Sequence, residues 1–282
     1  MSPRVRLPAA RTMITLEVRR SELLTPGFAS VTLGGPGVRQ LVAVGGDQAV
    51  RLFFPRAGQS ALRMPTASNE AWMAQVMLMP KAVRPWVRNL TVRRVRPVEQ
   101  EIDIEFALHD ASPMCSWVRG VRPGDPAGIF DLGTTYRLPE YARGRLLVGD
   151  ASALPAILSI LDSDNDNDSG GEDEVGDGGG VHPPPTEVFL EVATAADIRP
   201  VRTPHGVRVH WLTRDDEALR PGTRALEAVR AAELPPGPLY AWVAGESRLA
   251  TGVRRHLVNE RGVPRRDVSF VGYWRLGRST PG

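Results

Sequence analysis

The feature that most narrows the fold is a change of hydrophobic period partway along the chain. Upstream of about Phe130, apolar residues alternate singly with polar ones. In ITLEVR, Ile14, Leu16 and Val18 fall on one face, and in EIDIEFALH, Ile102, Ile104, Phe106 and Leu108 do the same. AVRLFF (49–54) and NLTVRRV (89–95) lie between them, separated by Gly/Pro turns. A period of two is the side-chain repeat of a strand with one buried face. This half, from about Thr12 to Phe130, therefore predicts antiparallel strands in a sandwich or barrel. From Gly144 the pattern changes. GRLLVGD (144–150) has the character of a strand buried on both faces. ALPAILSIL (153–161) has helical spacing, with Pro155 in the first turn where its missing N–H costs little. TEVFLEVA (186–193), VRVHWLT (207–213), LYAWVAG (239–245) and DVSFVGYW (267–274) read as further strands, with helical stretches near 223–232 and 246–261. Strands alternating with helices predict a parallel α/β sheet.

Two domains follow, residues 1–140 and residues 141–282, and a chain of 282 residues accommodates both. The segment 163–185 is Asp, Asn, Ser and Gly followed by three prolines. It can bury almost nothing, so a disordered acidic insertion in the second domain is expected. Its Asp/Asn run lacks the Gly and terminal Glu phasing of a calcium loop, and no metal site is assigned. Between Asp162 and Gly180 there are eight acids and no Lys or Arg, against a net charge of +3 for the whole chain. The rest of the chain is therefore strongly basic. Such a body attracts anions; dinucleotide phosphates and anionic chelates satisfy it as well as nucleic acid does, and no nucleic-acid partner is assigned. Cys115 is the single cysteine, which excludes an internal disulfide and suits a reducing cytosol. The start, MSPRVRLPAA, leads into no apolar stretch, and no run approaches the ~20 apolar residues of a membrane span. A cytoplasmic protein without membrane insertion is expected.

A β domain followed by a parallel α/β domain resembles the outline of the flavin reductases related to ferredoxin reductase, in which nicotinamide binds at the carboxyl ends of the parallel strands. Five stretches bear on this. In WVRNLTVRRV, alternation puts Arg88 and Leu90 on one face and Thr91 on the other. An Arg there can offer a bidentate fork to a pyrophosphate, and the Thr hydroxyl can reach a flavin ring; the plainer reading is an Arg-rich exposed strand. In LHDASPMCSWVRGVRPGD, His109 ends a strand and Ser112-Pro113 opens a helix with Ser112 as its N-cap. The N–H groups of Met114, Cys115 and Ser116 would then form a phosphate cradle. No base adjoins Cys115 in sequence, so packing is expected of it rather than nucleophilic chemistry. In LLVGDASALPAI, a strand ending at Gly149-Asp150 and followed by Ser152 makes a turn where a nicotinamide ring could rest. It is not a GxGxxG fingerprint. AWVAGESRLATGVRRHL repeats the strand-end theme at Gly245-Glu246, and FVGYWRLGR ends the chain with Tyr273 and Trp274, which could cover a planar cofactor or pack the last strand.

Taken together, VRLFFPR, the Arg88–Thr91 strand, LHDASPMCSWVRGVRPGD, LLVGDASALPAIL, VFLEVA, WVAGE with RRHLVNERG, and SFVGYWRLG resemble the siderophore-interacting protein family of FAD-binding ferric-siderophore reductases. The resemblance spans nearly the whole chain. It implies an antiparallel β-barrel holding FAD, an α/β domain binding NADPH or NADH, and a ferric siderophore, an anionic chelate, reduced one electron at a time with release of Fe(II). It implies Arg88 and Thr91 as flavin contacts and Cys115, Ser116 and Trp117 as the pyrophosphate-side helix start. It places Asp150, Ser152, Leu154 and Pro155 around the nicotinamide with Gly245 and Glu246 nearby, and Arg214 at a 2′-phosphate. Exposed Arg51, Arg56, Arg137 and Arg275 are candidates for guiding the chelate. No acid, base or nucleophile is required, because positioning dominates hydride transfer. Two departures stand out. Leu90 occupies a slot where the family has Tyr, and HDASPMCS brings Asp110 into a string that is usually Gly-rich. They leave two rivals: a general flavin reductase or electron-transfer partner, and a cofactor-poor chelate-binding or regulatory protein.

Overall fold

A computed structural model describes residues 5–109, 112–169, 183–216 and 218–278. These fall into two compact units, residues 5–134 and 135–278. The division comes at Thr134 rather than at residue 140 because Thr134 still pairs with Arg6 beside the last barrel strand.

The first unit is a closed antiparallel barrel, so the choice between sandwich and barrel resolves to the barrel. Its strands are β1 (Met13–Thr25), β2 (Phe28–Gly34), β3 (Ala49–Phe54), β4 (Trp86–Arg96), β5 (Glu101–Ala107) and β6 (Pro126–Gly133), in the order β1-β2-β5-β4-β3-β6. Closure leaves no edge strand exposed. The period-two residues point inward as expected: Ile14, Leu16, Val18, Ile102, Ile104 and Phe106 join Val31, Leu52 and Ile129 in one interior core. Helix α1 (Ala71–Leu78) packs outside the barrel, where Trp72 and Val76 meet Phe53, Val87 and Phe130. Helix α2 (Pro113–Gly120) contributes Met114, Trp117 and Val118 to the interior core.

The second unit is a five-stranded parallel sheet. Its elements are β7 (Gly144–Asp150), α3 (Leu154–Ser169), β8 (Thr186–Val192), β9 (Val207–Thr213), α4 (Thr223–Ala231), β10 (Leu239–Glu246), α5 (Ser247–Asn259) and β11 (Val268–Trp274), with strand order β11-β10-β7-β8-β9. Strands β7, β8 and β10 are buried along their whole length, as both-face coverage requires. Helices α4 and α5 cover one face through Ala225, Val229, Leu249, Val253 and Leu257. Helix α3 covers the other and approaches closely at Gly149, where an added Cβ would lie 3.0 Å from the Ile157 Cδ1. After β7 the chain moves outward through β8 and β9, then returns to the opposite side as β10. This reversal makes a switch point at the carboxyl ends of β7 and β10, where such sheets present their ligand crevice. No helix among the described residues is long and apolar enough to cross a membrane.

Helix α3 corrects one expectation. It runs on to Ser169, into the segment read as a disordered insertion. The cause is Arg145, which is fully buried at the start of β7. Its guanidinium donates to Asp164 Oδ2 at 2.6 Å, to the Tyr136 hydroxyl at 2.6 Å and to Thr186 Oγ1 at 3.0 Å. The neighbouring Asn165 is buried and donates to the Arg202 carbonyl at 3.0 Å. Polar residues that look solvated in the sequence are here the counter-charge of a buried cation. The remainder of the acidic run, 170–182, lies outside the described residues.

Burial pushes the Tyr136 phenol up to about 12, against the pull of Arg145. The folded state thus favours the neutral phenol. This contribution is intact below the ordinary value of 10.0 and is lost as pH rises to about 12. In an alkaline absorbance titration of the folded protein, one tyrosine should ionise near pH 12, and Tyr136→Phe should remove that step. A wild-type titration in which no tyrosine ionises near pH 12, or a Tyr136→Phe variant that keeps that step, would contradict this.

Candidate functional site

On β4, Trp86, Arg88 and Leu90 alternate onto the inward face, with Trp86 and Leu90 packed against the barrel core. Thr91 is buried on the opposite face, paired with Ala49 of β3. Arg88 and Arg56 both address the Trp86 ring, their guanidinium carbons 5.5 and 3.8 Å from its centroid. Arg88 donates one bond, to the Val87 carbonyl at 2.6 Å. Arg56 donates to the Arg84 carbonyl at 2.7 Å. Burial lowers the Arg88 and Arg56 values, and neighbouring cations add to it: Arg56 acts on Arg88, and Arg84 on Arg56. Two partly buried guanidinia crowd together with no carboxylate paired to either among the described residues. Such a cluster fits an anion that spans them, and a dinucleotide pyrophosphate has the charge and the acceptor oxygens to do so.

Helix α2 is capped as expected: Ser112 Oγ accepts from the Cys115 N–H at 3.2 Å. The Ser116 N–H is taken by the Ser112 carbonyl at 2.9 Å. Two of the three N–H groups expected to cradle a phosphate are therefore already used, and Met114 carries the third. Cys115 is fully buried with its thiol on the His109 carbonyl at 3.2 Å. Trp117 turns into the barrel against Phe54 and Phe106, ring centroids 5.0 and 6.1 Å apart. Successive helix positions point about 100° apart, so of Cys115, Ser116 and Trp117 only Ser116 faces solvent. The side chains of Cys115 and Trp117 are packing residues. The Trp117 Nε1–H is buried without a partner among the described residues. His109 is exposed, and Asp110 lies outside the described residues. Of the arginines considered for guiding a chelate, Arg137 and Arg275 are exposed. Arg51 is not free: it donates to Asn89 at 3.0 Å and lies over the Trp72 ring at 4.6 Å.

In the α/β unit the expected residues converge at the switch point. Asp150 is buried at the end of β7 and accepts from Ser152, from the Glu246 backbone and from the Trp274 indole. Gly245 makes this approach possible. Its φ is +131, and a Cβ there would lie 2.7 Å from the Asp150 carboxylate. Glu246, also buried, caps α5 by accepting from the Arg248 N–H at 2.5 Å. Leu154 and Pro155 are buried in the first turn of α3 and serve packing. Tyr273 is partly buried.

Two residues at this edge were not anticipated. Glu191, at the end of β8, accepts from the Gly222 N–H at 2.7 Å and the Ala225 N–H at 3.1 Å, so a buried carboxylate fills the α4 N-terminus. Arg220 lies 3.4 Å from Glu246. Burial pushes the Asp150 and Glu191 carboxyls up, and hydrogen bonds oppose it in both. Arg214, expected at a 2′-phosphate, stands 3.9 Å from Glu191 Oε1. The signal for Glu191 was present in the sequence: a lone acid inside the apolar strand VFLEV must be satisfied by something.

Residues 17–134 match the family profile described as siderophore-interacting FAD-binding domain, and residues 142–277 match that of siderophore-interacting protein. The chain belongs to the siderophore-interacting protein family. Among its relatives, Uncharacterized protein Rv2895c of Mycobacterium tuberculosis is 30% identical over 96% of this chain and 93% of its own. Ferric vibriobactin reductase ViuB of Vibrio cholerae is 27% identical over 94% and 90%. A siderophore utilization protein from T. fusca, known from its crystal structure, superposes with a TM-score of 0.78 at 29% identity, covering 98% of this chain and 97% of that one. The barrel of this siderophore-interacting protein is thus an FAD-binding domain of its family, and the Arg56–Arg88 cluster is on it.

Proposed function

We propose that this siderophore-interacting protein is a cytoplasmic, NAD(P)H-dependent ferric-siderophore reductase. The observation that carries the reading is the pair of partly buried guanidinia, Arg56 and Arg88, with no carboxylate paired to either among the described residues, on the unit that matches an FAD-binding domain. The kinship with ferric vibriobactin reductase supports the reaction class. Bound FAD supplies the conversion between a two-electron hydride donor and one-electron acceptors, which is what reduction of Fe(III) to Fe(II) in a chelate requires.

The chain's own residues bind and orient. Arg88 holds a pyrophosphate, Thr91 shapes the strand beside it, and Met114 offers a backbone N–H. On the sheet, Ser152, Gly245, Glu246 and Trp274 form the place for the nicotinamide. Arg137 and Arg275 remain exposed to draw in an anionic chelate.

Purified protein supplied with FAD, NADPH or NADH and ferric chelates should yield Fe(II) trapped by ferrozine, faster at low salt than at high. Reduction of free flavin without any chelate-dependent Fe(II) would replace this reading with that of a general flavin reductase. A colourless protein indifferent to added FAD would point to a chelate-binding protein instead.

A further inference from the structure

At the carboxyl edge of the sheet, three segments distant in sequence meet on one carboxylate. Asp150 Oδ1 accepts from the Ser152 N–H at 2.9 Å and the Ser152 hydroxyl at 2.6 Å. Oδ2 accepts from the Glu246 N–H at 2.6 Å and from the Trp274 indole Nε1–H at 3.1 Å. An ionised carboxylate is acceptor-only, with about four lone-pair directions, so these donors fill it. Trp274 is held by its backbone as well. Its carbonyl accepts from Ser247 Oγ at 2.8 Å, and the Leu276 N–H donates to Glu246 Oε1 at 3.2 Å. The β10–β11 register shifts here, from Gly245 opposite Gly272 to Glu246 opposite Trp274. An irregularity of this kind re-aims a side chain, and this one aligns Trp274, not Tyr273, with Glu246.

We propose that Asp150 is a positioning residue that fixes the Trp274 indole as one wall of the nicotinamide site and so governs the KM for the hydride donor. The inference rests on the proposed function for the identity of the ligand. The indole is partly exposed, and its N–H is anchored on the Asp150 carboxylate. A ring at a strand end that lacks such an anchor must be ordered at each binding event, and that ordering is subtracted from affinity.

Two variants test this in the FAD-loaded protein. Trp274→Phe keeps a ring and loses the N–H. Asp150→Asn keeps the shape but turns an amide NH2 towards donors on one side. Each should raise the KM for NADPH or NADH about tenfold, the scale of one lost hydrogen bond, with a smaller fall in kcat. The double variant should be no worse than either single one, because both remove the same contact. The near-ultraviolet circular dichroism of the ordered indole should be lost to the same degree in Asp150→Asn and Trp274→Phe. An unchanged KM in Trp274→Phe, or additive losses in the double variant, overturns the proposal, and Trp274→Phe decides even if Asp150→Asn fails to fold. Wild-type protein that binds neither donor overturns the proposed function itself. In that case the dichroism comparison still decides whether Asp150 orders the indole.

Discussion

Asp164→Ala is expected to lower the free energy of unfolding by about 3–5 kcal/mol, the cost of leaving a buried charge without its partner. The partner is Arg145, fully buried at the start of β7. Its remaining bonds, to the Tyr136 hydroxyl and Thr186 Oγ1, go to neutral groups. Those satisfy N–H donors but not the positive charge. Replacing both members by apolar residues, Arg145→Met with Asp164→Leu, should recover much of the loss, because the desolvation penalty of both ions disappears together. Urea unfolding followed by far-ultraviolet circular dichroism gives the comparison. A loss below about 1 kcal/mol for Asp164→Ala, the range of a surface ion pair, would mean that the acidic end of α3 does not hold the sheet.

The second large effect concerns FAD. Arg88→Ala should weaken FAD binding by about 10- to 100-fold. A hydrogen bond to a charged group contributes about 1.5–3 kcal/mol, and each 1.4 kcal/mol is a factor of about ten. Arg88→Lys should fall between, since an ammonium keeps the charge and loses the planar fork. Arg56→Ala should cost less, because Arg56 is engaged by the Trp86 face and the Arg84 carbonyl. Flavin fluorescence titration of the apoprotein measures all three. Wild-type affinity in Arg88→Ala would remove Arg88 from the site.

Much of this was legible before any coordinates. The period-two runs at 14–18 and 102–106 are buried on one face as barrel strands, and GRLLVGD and VRVHWLT are strands with the same limits. What failed did so for tertiary reasons. Strand β2, β6 (PAGIFDLG) and α1 carry mixed local signals and are recognisable through the neighbours they pair with or cover. The tail of α3 reads as disordered because nothing local shows that Asp164 has a buried cation waiting for it. The position of Asp150, Gly245 and Glu246 at strand ends was legible, because a parallel sheet collects such ends at its switch point. The inward packing of Cys115 and Trp117 was not legible, because a contiguous motif on a helix points in several directions and burial decides which. The Leu90 departure has a local account as well: the aliphatic side chain packs into the barrel core beside Trp86.

The most direct test of a reductase is an anaerobic single turnover. FAD-loaded protein mixed with one equivalent of NADPH or NADH should lose its visible flavin absorbance. Addition of a ferric siderophore should restore that absorbance with two Fe(II) trapped per FAD, since one hydride carries two electrons and each iron takes one. Flavin that stays oxidised with both donors, or reduced flavin that ferric chelates leave untouched, would contradict the account.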